Sequence, residues 1–448
     1  MPVYVHAPDE EAPWSPGAAS LAWLRHSLVA LDASLRARGS RLILRNGPSL
    51  AGLEQLIEQT GAEAVYWSRS YEPACIARDT AIKKALRARG IHVESHNSAL
   101  LCEPWTVATQ QGDPYRVFTP FWRNASTRLD MRATTLAPVR MAGVDSSLAS
   151  VDIDVLIPEP SPAWDNRFWI HAQPGEQGAR IQLAQSLELL LGDYKRQRDR
   201  PDVESTSRLS PHLHFGEISP QLIVRSLQAA QDDEQSLANG DSYIRQLGWR
   251  EFSHHLLYHF PQTTDANLNP RFDGFAWADP EPVLLDAWRR GRTGVPLVDA
   301  GMRQLWQTGW MHNRVRMVVA SFLTKNLRMH WLQGARWFWD TLVDANLANN
   351  TQGWQWIAGT GADAAPYVRV FNPVSQALKF DPDGRYVRRW VPQLAALPDA
   401  ALFEPWKHPE LLARHAPDYP HTPIADLKAS RVAALAAYAM SKPTADRR

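Results

Sequence analysis

Cysteine is nearly absent from this chain: Cys75 and Cys102 are the only two in 448 residues. So few thiols argue against a disulfide framework and a thiolate metal centre, and two inert buried thiols are expected. Net charge is nearly absent as well, with 48 Lys and Arg against 47 Asp and Glu. A polyanionic partner must therefore be met by a local patch rather than by the field of the whole molecule. No apolar run reaches the length of a membrane span, and no basic, apolar, small-residue leader opens the chain at "MPVYVHAP". A cytoplasmic protein is the expectation.

What is present is a 44% hydrophobic composition with 19 tryptophans, enough for a substantial core in two domains. Residues 1–125 alternate short apolar strands ("PVYVHA", "RLILRNG", "AEAVYWSR", "IHVESHN") with amphipathic helices from about Ala18, Leu50 and Cys75. That rhythm predicts a parallel α/β sheet covered by helices. Residues 126–175 dissolve into Ser, Pro and scattered charge and read as a connector. Residues 176–448 have helical period almost throughout, with a start signal at Ser219-Pro220. From Trp288 to Trp331 eight Lys and Arg face one acid, Asp299, among recurring tryptophans. Such interleaving suits phosphates and stacked bases, with a solvated helix face as the alternative.

Four stretches concentrate unusual side chains. "ESTSRLSPHLHFGEISP" packs Thr206, Ser207 and Ser210 before a proline. Hydroxyls at a helix start suit a pyrophosphate, although an ordinary capped turn has the same look. "YIRQLGWREFSHHLLYHF" sets Gln246, Trp249, Arg250 and Ser253 on one helix face, mostly polar. His255 and His259 in it lack the Glu of a zinc motif and read as ordinary helix histidines. "GWMHNRVRMVVASFL" repeats the spacing with Trp310, Asn313, Arg314 and Met317, a stripe suited to a flat heteroaromatic ligand beside a phosphate. "NNTQGWQWIAGTGADAAPYVRVFNP" adds Asn350, Trp354 and Trp356; its "GTGADAA" is too short for a dinucleotide fingerprint.

In order and spacing, "TSRLSPHLHFGEISP", "LGWREF", "GVPLVDAGMRQLWQTGWMHNRVRMVVASFL" and "LANNTQGWQWIAGTGADAAPYVRVFNP" resemble the photolyase and cryptochrome flavoproteins, most closely the class I-like enzymes that repair cyclobutane pyrimidine dimers. The resemblance implies an α/β antenna-type domain, a connector and an all-α domain holding FAD. Tyr194, Thr206, Ser207, Arg208, Leu209, Ser210, Tyr243, Arg250, Trp310, Arg316, Asp344, Asn346 and Asn350 would line the flavin cavity. Asn350 would face its N5 edge, and Arg316 would pair with Asp344. Trp354, Trp331 and Trp277 match the electron-transfer tryptophans. Arg198, Gln246, Trp249, Asn313, Arg314, Met317 and Trp356 match positions that receive the lesion, which must be flipped out of the duplex. No metal is implied, and the protein is expected to act as a monomer on UV-damaged DNA.

Three departures shape the expectations. Gln246 replaces the glutamate usual in dimer photolyases, so binding with reduced repair efficiency is expected. The family's opening strand is missing before "MPVYVHAP": either the start is misassigned, or the strand is truly lacking, in which case unpaired strand edges are expected. Ala74 and Cys75 stand where folate-antenna members carry Asn and Glu, so FAD without a second chromophore is expected. A cryptochrome-like light sensor, and a member that binds FAD and DNA without efficient repair, are the alternatives. The stop at "YAMSKPTADRR", with no long tail, favours repair over signalling.

Overall fold

The computed structural model describes residues 1–129, 137–161, 163–170, 172–364, 367 and 369–441; the last residues of "YAMSKPTADRR" lie outside these. The chain divides into two units that do not follow chain order. One comprises 1–191, 207–261 and 343–348, the other 192–206, 262–342 and 349–448.

The first unit begins with β1 (Val3–His6), α1 (Ala18–Arg36), β2 (Ile43–Asn46), α2 (Ser49–Thr60), β3 (Ala64–Ser68), α3 (Pro73–Ala88) and β4 (His92–His96). Local chemistry sets the helix ends. Pro73 opens α3 at a position where a missing N–H costs nothing. Gly61 closes α2 with φ of 65°, its N–H returning to Ile57.

The strands pair only in twos. β1 runs parallel to β2 with Val3 opposite Ile43, and β3 parallel to β4 with Ala64 opposite His92. Among the described residues no strand joins the two pairs. Helix α2 serves both: Gly52 lies against Val5 of β1, Leu56 packs with Ile43, and Ile57 packs with Val65 and Val93. The expected parallel α/β arrangement is therefore present in two pieces. The edges of β1 and β3 outside these ladders have no strand partner among the described residues.

Part of the expected connector is built into this unit. Val151 donates its N–H to Leu44 of β2 at 3.0 Å, and Leu156 and Ile157 pack with Leu28, Leu35, Leu42 and Leu44. Beyond it the chain is helical. Ser219 caps Pro220–Ala230 by accepting the Leu222 N–H at 3.2 Å, the start signal read from the sequence. A reciprocal cap between Asp233 and Ser236 starts the long helix Glu234–His259. That helix packs on α4 (Phe118–Ala125), with the Phe121 and Phe252 rings 5.1 Å apart.

All regular elements described in the second unit are helical. Among them, Pro296–Thr308 ends at Gly309 with φ of 64°, and Asn313–Ser321 runs on into a π-helical turn, Phe322–Asn326.

Candidate functional site

In the first unit, helix Glu234–His259 carries Tyr243, Gln246, Trp249 and Arg250. The buried Tyr243 and Ser207 hydroxyls share a hydrogen bond of 2.7 Å. Ser207 is held further through its carbonyl, which accepts from Gln182 at 2.9 Å and Ser186 at 3.2 Å. The next residue, Arg208, has φ of 51°, a left-handed conformation costly for a side chain with a Cβ. Such an outlier is worth about 1–3 kcal/mol and persists where surrounding structure enforces it. After the turn, Leu209 precedes the short helix Ser210–His214, and the Ser210 hydroxyl donates to Asp344 at 2.6 Å. Asn346 lies 3.4 Å from the His254 ring nitrogen. Thr206 falls in the second unit.

Trp249 has one face covered: it stacks on Phe118 at 3.7 Å with the planes 8° apart. Gln246 donates to the Ser242 carbonyl at 3.2 Å. Arg250 has structural partners. Its guanidinium donates to Ala99 at 2.6 Å and lies 3.5 Å from Glu251, whose other oxygen accepts the N–H groups of Leu101 and Cys102. Burial pushes the Glu251 carboxyl up to about 7, against the pull of Arg250 and those N–H groups. The same apolar surroundings lower His214 to about 4 and His254 to about 3, keeping both neutral. His255 receives the Tyr115 N–H at 3.0 Å and faces the Pro104 carbonyl at 3.1 Å, which His259 also reaches at 3.2 Å. Both rings are thus committed to backbone, as expected of ordinary helix histidines. Both cysteines are buried free thiols, pushed up by burial.

In the second unit the stripe expected from Trp310 to Met317 is shorter than its spacing suggests. The helix starts only at Asn313, capped by His312, whose ring accepts the Arg314 N–H at 3.1 Å. Trp310 therefore sits ahead of the helix. Asn313 and Met317 do share a face, amide to sulfur 3.9 Å. Arg314 is ion-paired with Asp199 at 2.8 Å and lies over the Phe380 ring at 4.4 Å. Arg198 lies over the ring of buried Tyr194 at 5.6 Å, and Arg316 donates to Met311 at 2.8 Å.

The amide nitrogen of Asn350 donates to the Ala335 carbonyl at 2.9 Å. With that nitrogen engaged, the side-chain oxygen is left as an acceptor. Trp354 packs on Gly334 and lies 5.0 Å from Phe338 and 6.2 Å from Trp288, ring to ring. Fully buried Trp331 donates its indole N–H to Asn267 at 3.0 Å. His330 lies 5.5 Å from Trp331 and 5.2 Å from half-buried Trp277. Trp356 is half-buried two residues beyond Trp354.

Gln355, between these tryptophans, escaped the sequence reading. Its side chain binds Leu268, Thr263 and Ala266 at 2.8 to 3.0 Å, and its carbonyl accepts from Gly359, Thr360 and Gly361. The "GTG" run is thus a helix ending. The basic run is also less free than its count implies. Arg290 pairs with Asp286, Arg303 binds Gly291 and Gln393, and Lys325 is fully buried. Lys325 donates to Ala358 at 2.8 Å, at the end of the helix bearing Trp354 and Trp356. A lysine in a basic run gives no sign of such burial.

Compared with known proteins, the chain is 43% identical to a deoxyribodipyrimidine photo-lyase of Agrobacterium fabrum, over 99% of this chain and 93% of that one. The chain belongs to the DNA photolyase family. The family model described as DNA photolyase matches residues 1–140, and the FAD binding domain of DNA photolyase matches 243–440. A solved bacterial class III photolyase from Agrobacterium tumefaciens superposes with a TM-score of 0.93 at 42% identity, covering 98% of this chain and 92% of that one. Cryptochrome-1 of Arabidopsis thaliana is 39% identical over 92% of this chain, which spans 62% of that longer protein. The family assignment confirms an N-terminal α/β part and a large all-α, FAD-binding part. No helix among the described residues is long and apolar enough to cross a membrane.

Proposed function

We propose that this photolyase-family chain is a light-driven DNA lyase that splits cyclobutane pyrimidine dimers. The observation that carries the reading is the near full-length identity of 43% to a deoxyribodipyrimidine photo-lyase. Its residues suit a flavin. Ser207 and Tyr243 form a buried hydroxyl pair, Ser210 and Asp344 a second polar pair, and Asn350 an amide whose orientation is already set. Tyr194, Thr206, Arg208, Leu209, Trp310, Arg316 and Asn346 complete the proposed set. Arg250 belongs to it through its position beside Trp249 rather than through direct contact, since its guanidinium is already engaged.

The chemistry a bound, reduced flavin would supply is one electron under blue light, returned after cleavage, so that splitting the dimer would have no net redox change. The chain binds, orients and shields. Trp249, backed by Phe118, and Trp356 wall the flipped pyrimidines, whose poor stacking in the duplex lowers the cost of extrusion. Gln246 bonds a base edge, and as a neutral amide it cannot donate the proton of a carboxyl group. Asn313 and Met317 offer an amide and a polarisable sulfur on one face. Arg198 and Arg314 receive phosphate or base oxygens, so affinity falls with salt. The Asn350 oxygen would serve as an acceptor for a protonated nitrogen of a bound flavin. Trp354, Trp331 and Trp277 would carry electrons inward to a bound flavin that has to be reduced.

The test is illumination of the reduced protein with a dimer-containing oligonucleotide. Recovery of intact pyrimidines is expected, slower than in an enzyme with glutamate at position 246, and Gln246→Glu should raise the rate. Tight binding without recovery would replace the proposal with a light sensor or an inactive binder. A second chromophore released on denaturation would contradict the expectation of FAD alone.

A further inference from the structure

The segment from Asp193 to Asp202 is rich in cations, yet its acids are arranged to occupy guanidinium groups. Asp193 pairs with Arg196, Asp202 with Arg200, and Asp199 reaches away from its own segment to Arg314 on helix Asn313–Ser321. The last pair differs in setting. The Arg314 side chain is 16% exposed and Asp199 36%, with N and O 2.8 Å apart. The Phe380 ring covers one face of the guanidinium at 4.4 Å, and the buried Arg314 Nε has no hydrogen-bond partner. A cation so held presents a neutral pair to an approaching phosphate.

We infer that Asp199 is a specificity-determining residue: it masks the charge of Arg314 from undamaged DNA, leaving it to be claimed only by an inserted lesion. The inference rests on the proposed reading of this chain as a damage-binding protein. Phosphate attraction is indifferent to sequence and damage, and each neutralised phosphate adds to the salt dependence of binding. An unmasked Arg314 would therefore strengthen contact with any duplex. Paired to Asp199, it contributes little until a flipped nucleotide brings an anionic or carbonyl oxygen within reach and competes with the carboxylate. Asp199 thus acts through Arg314 and gives up some affinity in exchange for discrimination.

The test measures binding in the dark of undamaged and dimer-containing duplexes across a salt series. Asp199→Asn keeps the shape and removes the charge. It should tighten binding to undamaged duplex by about three- to ten-fold and steepen its logarithmic salt slope by about one, with a smaller gain on the dimer. Arg314→Gln added to Asp199→Asn should cancel the gain, which separates masking from simple repulsion of DNA by a carboxylate. Asp199→Glu, retaining the charge, should behave like the parent and guard against a folding defect. Unchanged undamaged-duplex binding in Asp199→Asn, or a gain that survives loss of Arg314, would overturn the inference. If the parent does not favour the dimer at all, the proposed function fails first.

Discussion

Alanine at Gly334 and at Gly353 should move stability in opposite directions, although both glycines lie inside helices. In an exposed helix interior, alanine is favoured over glycine by about 1 kcal/mol. A Cβ on Gly353, in helix Leu347–Ala358, would meet nothing within 4 Å, so Gly353→Ala should stabilise by up to about 1 kcal/mol. A Cβ on Gly334, in helix Trp331–Thr341, would lie 2.0, 2.4 and 2.5 Å from three ring carbons of Trp354. Optimal carbon contacts are about 3.5–4.0 Å, so helix or indole must shift by roughly 1.5 Å. Phe338 and Trp288 already flank that indole. Overpacking costs about 1–3 kcal/mol, and the upper end less the propensity gain leaves a net loss of about 2 kcal/mol. Urea denaturation reads both changes as shifts of the midpoint at constant slope. Light-driven flavin reduction should also fall in Gly334→Ala, because Trp354 is the ring displaced. A Gly334→Ala protein as stable as the parent would refute the packing argument.

Other consequences are testable separately. Burial lowers His255 from 6.5 to about 4, so the neutral form is favoured on folding. Stability from this group is present above pH 6.5 and is lost as pH falls toward 4, by up to roughly 3 kcal/mol. Protonation would also turn the ring nitrogen that accepts the Tyr115 N–H into a donor. His255→Gln should therefore flatten the acid side of a urea-midpoint profile, and an unchanged profile would count against this account. Trp331→Phe should suppress most light-driven flavin reduction. Asn267→Leu, which strips the acceptor 3.0 Å from the Trp331 indole N–H, should shorten the tryptophan-radical signal in transient absorption. Two-stranded sheets are marginal by themselves. Amides on the edges of β1 and β3 outside the ladders should exchange with deuterium sooner than those bonded within β1–β2 and β3–β4, and equal protection would show that those edges are covered.

Much of this protein is local in its sequence. The strands, the three helices between them, the cap at Ser219 and the face shared by Gln246, Trp249 and Arg250 follow from apolar period and cap chemistry within a few residues. The long tryptophan-rich motifs suffice to reveal the family. Only tertiary structure decided how charges and hydrogen-bonding groups are spent. Lys325 reads as a surface cation but buries its amine against Ala358, Arg314 reads as a free phosphate ligand but is held by Asp199, and Trp310 keeps its spacing yet lies ahead of its helix. The pairing of four strands into two separate ladders likewise depends on neighbours distant in the chain. A side chain's partner is fixed by what distant segments bring within about 3 Å of it, and no local period encodes that.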